Sequence, residues 1–320
     1  MSQNTAIRFY DLHPPQTDHI GETIEGLSKK QKQLPPKLFY DEKGSKIFDQ
    51  ICEQPEYYPT RTEIEILRQN AREIAEYCSD NNLLLELGSG ASKKIRILLE
   101  TLRPNSYVGV DISKEFLIES TTRLAKDYPW LDVHATCADF SHDLDLTHCP
   151  DNQRILAFFP GSSIGNFTPT EAQLFLGRLH KLIGPGGLLL IGVDLVKDID
   201  ILNAAYNDSH GVTARFNLNL LERLNFELDA NFDLERFQHY AFFNPHHSRI
   251  EMHLVSRDEQ TVHLGPHRFD FRKGESIHTE NSYKYTIDGF EEMARNTGWR
   301  PVKFWTDDAQ KFSIQLFSTE

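Results

Sequence analysis

The chain has 320 residues, 39% of them hydrophobic and 25% charged, with a formal net charge of −13. That length and composition describe an ordinary globular protein with room for a full-sized core and more than one folding unit. The charge argues against a nucleic-acid surface. With no apolar run near the roughly 20 residues of a membrane span and no signal-peptide core, a cytoplasmic location off the membrane is expected.

The first sixty residues are rich in turn formers and aromatics, as in Leu34-Pro35-Pro36-Lys37-Leu38-Phe39-Tyr40 and Gln54-Pro55-Glu56-Tyr57-Tyr58-Pro59. Consecutive prolines forbid a continuous helix, so short helices and loops that present the aromatics are expected. Thr60 or Thr62 can cap a helix running through Ile64, Ile66 and Leu67 to Tyr77. From Leu83 short apolar runs alternate with amphipathic stretches. Strands are expected at Leu83–Leu87, Tyr107–Asp111, Leu131–Ala135, Arg154–Phe159 and Leu188–Asp194. Helices are expected from about Ser92, over Lys114–Asp127 and over Thr170–Leu182, the last stopped by Gly184-Pro185-Gly186-Gly187. Such alternation means right-handed βαβ units and a parallel sheet. Near the C-terminus a helix over Ile287–Thr297 precedes two strands, Pro301–Trp305 and Phe312–Phe317, close enough for a hairpin.

A terminal antiparallel pair added to a doubly wound α/β sheet points to the class I S-adenosylmethionine (AdoMet) methyltransferase fold. The stretch 200–283 interrupts that plan. The expected division is a cofactor-binding domain over 60–198 and 284–320, and a substrate-binding α+β domain over 1–59 and 199–283. Four scattered cysteines, with no CxxC pair, read as reduced thiols and not as a zinc site.

In open α/β sheets the ligand lies beyond the carboxyl ends of the strands at the switch point. Glu86-Leu87-Gly88-Ser89-Gly90 follows the first strand there, with Lys94 just beyond it. Gly88 and Gly90 allow a tight turn and close approach to the methionine part of AdoMet, but Gly-x-Gly alone is a weak signal. Asp111, about 20 residues on, can accept both ribose hydroxyls. Asp139 can take the adenine amino group while Phe140 covers the ring. The rival, a dinucleotide-binding dehydrogenase, needs glycine at the sixth position of the motif, which here is Lys93. Asn166 ends the turn Pro160–Asn166 after the fourth strand, where an acceptor amide or a simple turn former would both serve. The pair His246-His247 lacks a third ligand with suitable spacing, so no metal is expected.

Several longer motifs carry a resemblance. They are Leu34–Asp41, Pro55-Glu56-Tyr57-Tyr58-Pro59-Thr60-Arg61, Gly161–Asn166, Asp194-Leu195-Val196-Lys197-Asp198, Ala205-Tyr206, Gly211-Val212-Thr213 and Arg249-Ile250-Glu251-Met252. Together they resemble the histidine-specific α-N-methyltransferases of ergothioneine biosynthesis over nearly the whole chain. The resemblance implies three methyl transfers from AdoMet to free L-histidine, giving hercynine; a monomer is expected. It implies that Asn166 and Tyr206 hold the substrate's carboxylate and amino group. Tyr57 would contact the imidazole, and Glu280 and Ser282 of Thr279-Glu280-Asn281-Ser282 would bind its nitrogens. Tyr40, Phe48, Gly161, Thr213 and Met252 would line the pocket, with Tyr40 or water taking the proton. Relatives on the same scaffold methylate an indole precursor of ergot alkaloids; a similar enzyme for an indole amino acid, or a non-catalytic AdoMet-binding protein, are the alternatives. Glu280 and Ser282 lie two apart, so an extended segment points both to one face and Asn281 to the other. Composition alone would leave them on the surface, because glutamate is rarely buried unpaired; the resemblance reverses that.

Overall fold

In the computed structural model, which describes residues 7–12, 19–78, 83–91, 93–147, 149 and 154–320, the first strand lies upstream of every element expected from sequence. Strand β1 (Arg8–Asp11) is followed by helix α1 (His19–Ser28), the short β2 (Lys32–Gln33) and helix α2 (Glu42–Ile51). The prolines behave as expected: Pro35 and Pro36 open a single 3-10 turn over Pro36–Phe39, and Asp41 then caps α2 by accepting the Gly44 N–H at 2.6 Å. Helix α3 spans Tyr58–Cys78. The alternating region then supplies β3 (Leu83–Leu87), α4 (Ile95–Leu102), β4 (Ser106–Asp111), α5 (Lys114–Asp127), β5 (Asp132–Cys137), β6 (Ile155–Phe159), α6 (Pro169–Ile183) and β7 (Leu188–Asp194). Ser92, where α4 is expected to begin, lies outside the described residues.

The interrupting stretch forms α7 (Ile199–Ala205), α8 (Val212–Leu228), β8 (Phe237–Asn244), β9 (Arg249–Ser256), β10 (Gln260–Leu264), β11 (His267–Phe271) and β12 (Ser276–Tyr283). The chain closes with α9 (Ile287–Arg295), β13 (Arg300–Thr306) and β14 (Phe312–Ser318).

The large sheet has the order β1-β5-β4-β3-β6-β7-β14-β13. Pairing is parallel from β1 through β7, and β14 and β13 are antiparallel. This is the doubly wound methyltransferase sheet, whose order reverses between β3 and β6. Every residue of β3 is buried. Leu83, Leu85 and Leu87 enter one apolar cluster and Leu84 the other, as period-two alternation requires when both faces are covered. Helix α6 starts in a capping box between Thr168 and Glu171.

The described residues of Met1–Pro14, Pro59–Val196 and Lys284–Glu320 form one compact unit, and those of Pro15–Tyr58 and Lys197–Tyr283 another. Against the expectation that 1–59 belong wholly to the second domain, β1 pairs in parallel with β5 in the first unit. Without β1 that strand would be an open edge, and the Arg8–Asp132 ion pair at 2.8 Å adds to the backbone pairing.

The second unit holds a four-stranded sheet, β2-β12-β9-β8, and the hairpin β10–β11. Its core gathers Phe39, Phe216, Leu220, Leu224, Ile250, Met252 and Leu254. Not all its aromatics come from loops: Phe48 lies on α2. No described helix is long and apolar enough to cross a membrane.

Candidate active site

In the first unit the carboxyl ends of β3 and β4 are stitched together by their loops. Gly88 and Gly90 adopt φ of 70° and 49°, left-handed conformations that favour glycine. The N–H groups of Gly88 and Ser89 donate to the Val110 carbonyl at 2.9 and 3.1 Å. Asp111 accepts the Gly90 N–H on one oxygen and the Ser113 N–H on the other, each at 2.9 Å. Burial raises the Asp111 pKa, partly offset by those N–H donors. A Cβ built on Gly88 would stand 3.7 Å from the Phe140 ring, so the ring lies against bare backbone. Phe140 is held edge-on by Phe159 and Phe175. Among the described residues, the Ser89 hydroxyl is buried without a hydrogen-bond partner. A left-handed glycine loop, a buried hydroxyl lacking a partner and a carboxylate at the next strand end fit AdoMet's methionine and ribose groups. Asp139 accepts both the N–H and the hydroxyl of Ser141, at 2.9 and 2.5 Å, which fixes the turn after β5.

Sequence reasoning missed Glu63. Its side chain is fully buried, and it accepts the Gly161 N–H at 3.0 and 2.9 Å and pairs with Lys94 at 2.5 Å. The signal was available, since Glu63 stands three and four residues before the buried Ile66 and Leu67, on the inward face of α3. Gly161, at φ 78°, would bring a Cβ within 3.3 Å of the Lys94 ammonium. Nearby Glu86 accepts the Tyr107 hydroxyl at 2.6 Å, and burial pushes its pKa up to about 8. Asn166 closes the 3-10 turn Ser163–Asn166 and is partly exposed. Ser162 accepts the Asp194 N–H at 2.9 Å, and Asp194 forms a wholly buried ion pair with Lys284 at 2.7 Å.

The second unit gathers most of the residues assigned to substrate. Tyr206 follows α7 and donates its hydroxyl to Ser282 at 2.7 Å. The Tyr57 ring stands edge-on to Tyr206 and to Phe48, with centroids 6.3 and 6.2 Å away, and Phe48 meets Tyr40 at 5.9 Å. Burial, then the neighbouring Tyr206, Cys52, Tyr40 and Glu280, hold the Tyr57 phenol well above its ordinary pKa, so it stays a neutral donor. The register sets Glu280 opposite Met252 and Ser282 opposite Ile250, on one face, and Asn281 opposite Glu251. Thr213 lies in the first turn of α8, where its N–H donates to Asp208 at 2.7 Å. Among these groups the structure thus brings together Tyr40, Phe48, Tyr57, Tyr206, Met252, Glu280 and Ser282, while Gly161 and Asn166 belong to the other unit.

Among the described residues, Glu251, His253 and His278 place potential ligand atoms within 4.8 Å of one another. Two features disfavour an ion there. Arg249 already neutralises Glu251 at 2.7 Å. The two imidazoles are stacked 14° from parallel, which does not aim both in-plane lone pairs at one point. His246 and His247 are neighbours with rings 4.8 Å apart and are not part of this cluster.

Comparison with known proteins identifies the family. The family described as "Histidine-specific methyltransferase, SAM-dependent" matches residues 20–319. A histidine N-alpha-methyltransferase of Mycobacterium tuberculosis is 42% identical, over 93% of this chain and 97% of its own. Its counterpart in Mycolicibacterium smegmatis is 41% identical, over 91% and 92%. Ergothioneine biosynthesis protein 1 of Neurospora crassa is 30% identical over 86% of this chain but only 32% of its own. Matched across almost its whole length, the chain belongs to the histidine-specific, AdoMet-dependent methyltransferase family.

Proposed function

We propose that the protein methylates the α-amino nitrogen of free L-histidine three times in succession, using AdoMet and yielding hercynine, the first step of ergothioneine biosynthesis. The observation that carries the choice of acceptor is the face shared by Glu280, Ser282 and Met252, with the Tyr206 hydroxyl on Ser282 and the Tyr57 ring edge-on to Tyr206. A carboxylate and a hydroxyl side by side suit an imidazole, which offers one N–H and one acceptor nitrogen. Asn166 and Tyr206 are assigned the substrate's carboxylate and amino group. Asp111 is assigned the ribose, Asp139 and Phe140 the adenine, and the loop of Gly88, Ser89 and Gly90, with Lys94, the methionine part.

Before each transfer the ammonium gives up one proton; the freed lone pair then forms the N–C bond as the C–S bond of the sulfonium breaks, leaving S-adenosylhomocysteine, and the third transfer leaves a quaternary nitrogen without a proton. The nucleophile must be the neutral amine. An α-amino group has a pKa of about 7.7–8.0, and the adjacent sulfonium lowers it by like-charge repulsion. No strong base is then needed; Tyr40 or water accepts the proton, and orientation supplies most of the rate. As methyls replace N–H donors, the Tyr40 and Phe48 faces can stabilise the growing cation. The reading takes the enzyme as a cytoplasmic monomer without a metal.

The test is mass spectrometry after incubation with AdoMet and a mixture of the twenty amino acids. A mass gain of three methyl groups on histidine is expected; methylation of another amino acid, or of none, overturns the reading.

A further inference from the structure

Strand β12 does not alternate regularly. His278 stands opposite His253, yet Glu280 stands opposite Met252, so Thr279 is an extra residue with no partner of its own. A β-bulge of this kind shifts every later residue to the other face. Without it Glu280 would face Glu251, beside the Arg249 and His253 that already engage that carboxylate. With it, Glu280 and Ser282 join Met252 and Ile250 on the face of the apolar core.

The Thr279 hydroxyl has two acceptors within reach, the Met252 carbonyl at 3.1 Å and, closer, the side chain of Asn217. Asn217 is wholly buried on α8, among Phe216, Leu220 and Leu221. A buried amide is costly unless its groups are satisfied, and this one reaches all three neighbouring strands. Its carbonyl oxygen accepts the Thr279 hydroxyl at 2.8 Å, on β12. Its NH₂ donates to the His253 carbonyl at 3.0 Å, on β9, and to His239 Nδ1 at 2.9 Å, on β8. His239 in turn donates from Nε2 to the Tyr206 carbonyl at 2.8 Å, which fixes its tautomer. The same network therefore grips the bulge that aims Glu280 and Ser282 and the backbone of the tyrosine that bonds Ser282.

We propose that Thr279 and Asn217 form a register lock, the bulge turning Glu280 and Ser282 inward and Asn217 holding it there, so that both are positioning residues for substrate selection. The consequence for the imidazole rests on the histidine reading above; the register does not. Thr279→Val keeps the shape but removes the hydroxyl and leaves the buried Asn217 oxygen unpaired. It is expected to raise KM for histidine about tenfold, the scale of one lost buried hydrogen bond, with kcat and AdoMet affinity within about twofold. Thr279→Ser, which restores the donor, should recover most of the loss.

A second measurement does not depend on activity. In protein carrying 13C-methyl methionine, Glu280→Gln should shift the Met252 methyl resonance when Thr279 is present. The shift should vanish when Thr279 is deleted, because Glu280 then leaves that face. Unchanged histidine KM in Thr279→Val, or failure of Thr279→Ser to recover it, overturns the positioning role. A Met252 response that persists in the deletion overturns the register assignment. If the deletion does not fold, Thr279→Val and Thr279→Ser decide; if the wild type ignores histidine, the functional reading falls and the Met252 resonance still decides the register.

Discussion

A partly buried carboxylate that accepts an imidazole N–H gains a charge-assisted bond with histidine and is left desolvated and unpaired with phenylalanine or leucine. Sites built to pair a polar group can discriminate by about 10⁴–10⁵ against analogues lacking it. Glu280→Ala should therefore cut catalytic efficiency on histidine sharply, leave AdoMet affinity near wild type, and improve tryptophan relative to histidine. Glu280→Gln should fall between, since the amide oxygen still accepts but carries no charge. If the histidine preference survives in Glu280→Ala, the imidazole is read elsewhere, with Tyr57 the next candidate. On the cofactor side, Asp111→Ala should weaken AdoMet binding by roughly 1.5–3 kcal/mol, the scale of hydrogen bonds to a charged group. Calorimetry showing unchanged affinity in a folded variant would remove Asp111 from the ribose. The place of Asp111 at the end of β4 was legible because strand pattern and spacing constrain it. The spacing of Glu63 placed it on the inward face of α3, but its partners, like those of Asn217 and His239, could not be read: nothing in a single sequence says that a buried polar group has found its partners, because those come from distant strands and helices.

At the scale of elements, the start of α8 depends on one side chain. Asp208 accepts the N–H groups of Val212 and Thr213, both at 2.7 Å. Burial alone would raise its pKa, but the Thr213 and Val212 bonds outweigh it and the net shift is downward. Asp208→Ala should cost about 1–2 kcal/mol, as helix caps do, and should loosen the helix that carries Asn217; urea denaturation of the variant measures it. A loss below a few tenths of a kcal/mol would mean that water replaces the cap. Long periodic elements such as α5 and the terminal hairpin were readable because apolar spacing alone defines them. Strand β1 was not, since Arg-Phe-Tyr-Asp is too short to show a period and exists only because β5 offers an edge. The bulge in β12 breaks the phase of the strand: core residue Ile277 stands opposite Leu254, and Glu280 and Ser282, at opposite parity, stand opposite the core residues Met252 and Ile250, which only register explains.

For the whole molecule, the alternating apolar runs already implied the sheet and its hairpin, whereas the division of buried charge between the two units could not be inferred from order along the chain. That division has a consequence for pH. In the second unit burial lowers the pKa of His239, His253 and His278, the last to about 4. Their contribution is complete above the ordinary imidazole pKa of about 6.5 and is lost as pH falls toward the folded values, because the unfolded chain takes up protons that the folded one refuses. In the first unit burial raises Glu86 from 4.5 to about 8, so its contribution is complete below 4.5 and is lost as pH rises toward 8. Between pH 5.5 and 7.5 the two units should therefore move in opposite directions. Hydrogen exchange in the AdoMet-free protein, corrected for intrinsic rates, tests this. Protection in peptides from β9 and β12 should rise with pH over that interval, while protection in β3 and β4 falls. Replacing Glu86 with Gln should flatten the fall in β3 and β4 without touching the rise in β9 and β12. A common sign in both units would mean that water or local opening relieves the burial of Glu86 or of the three imidazoles.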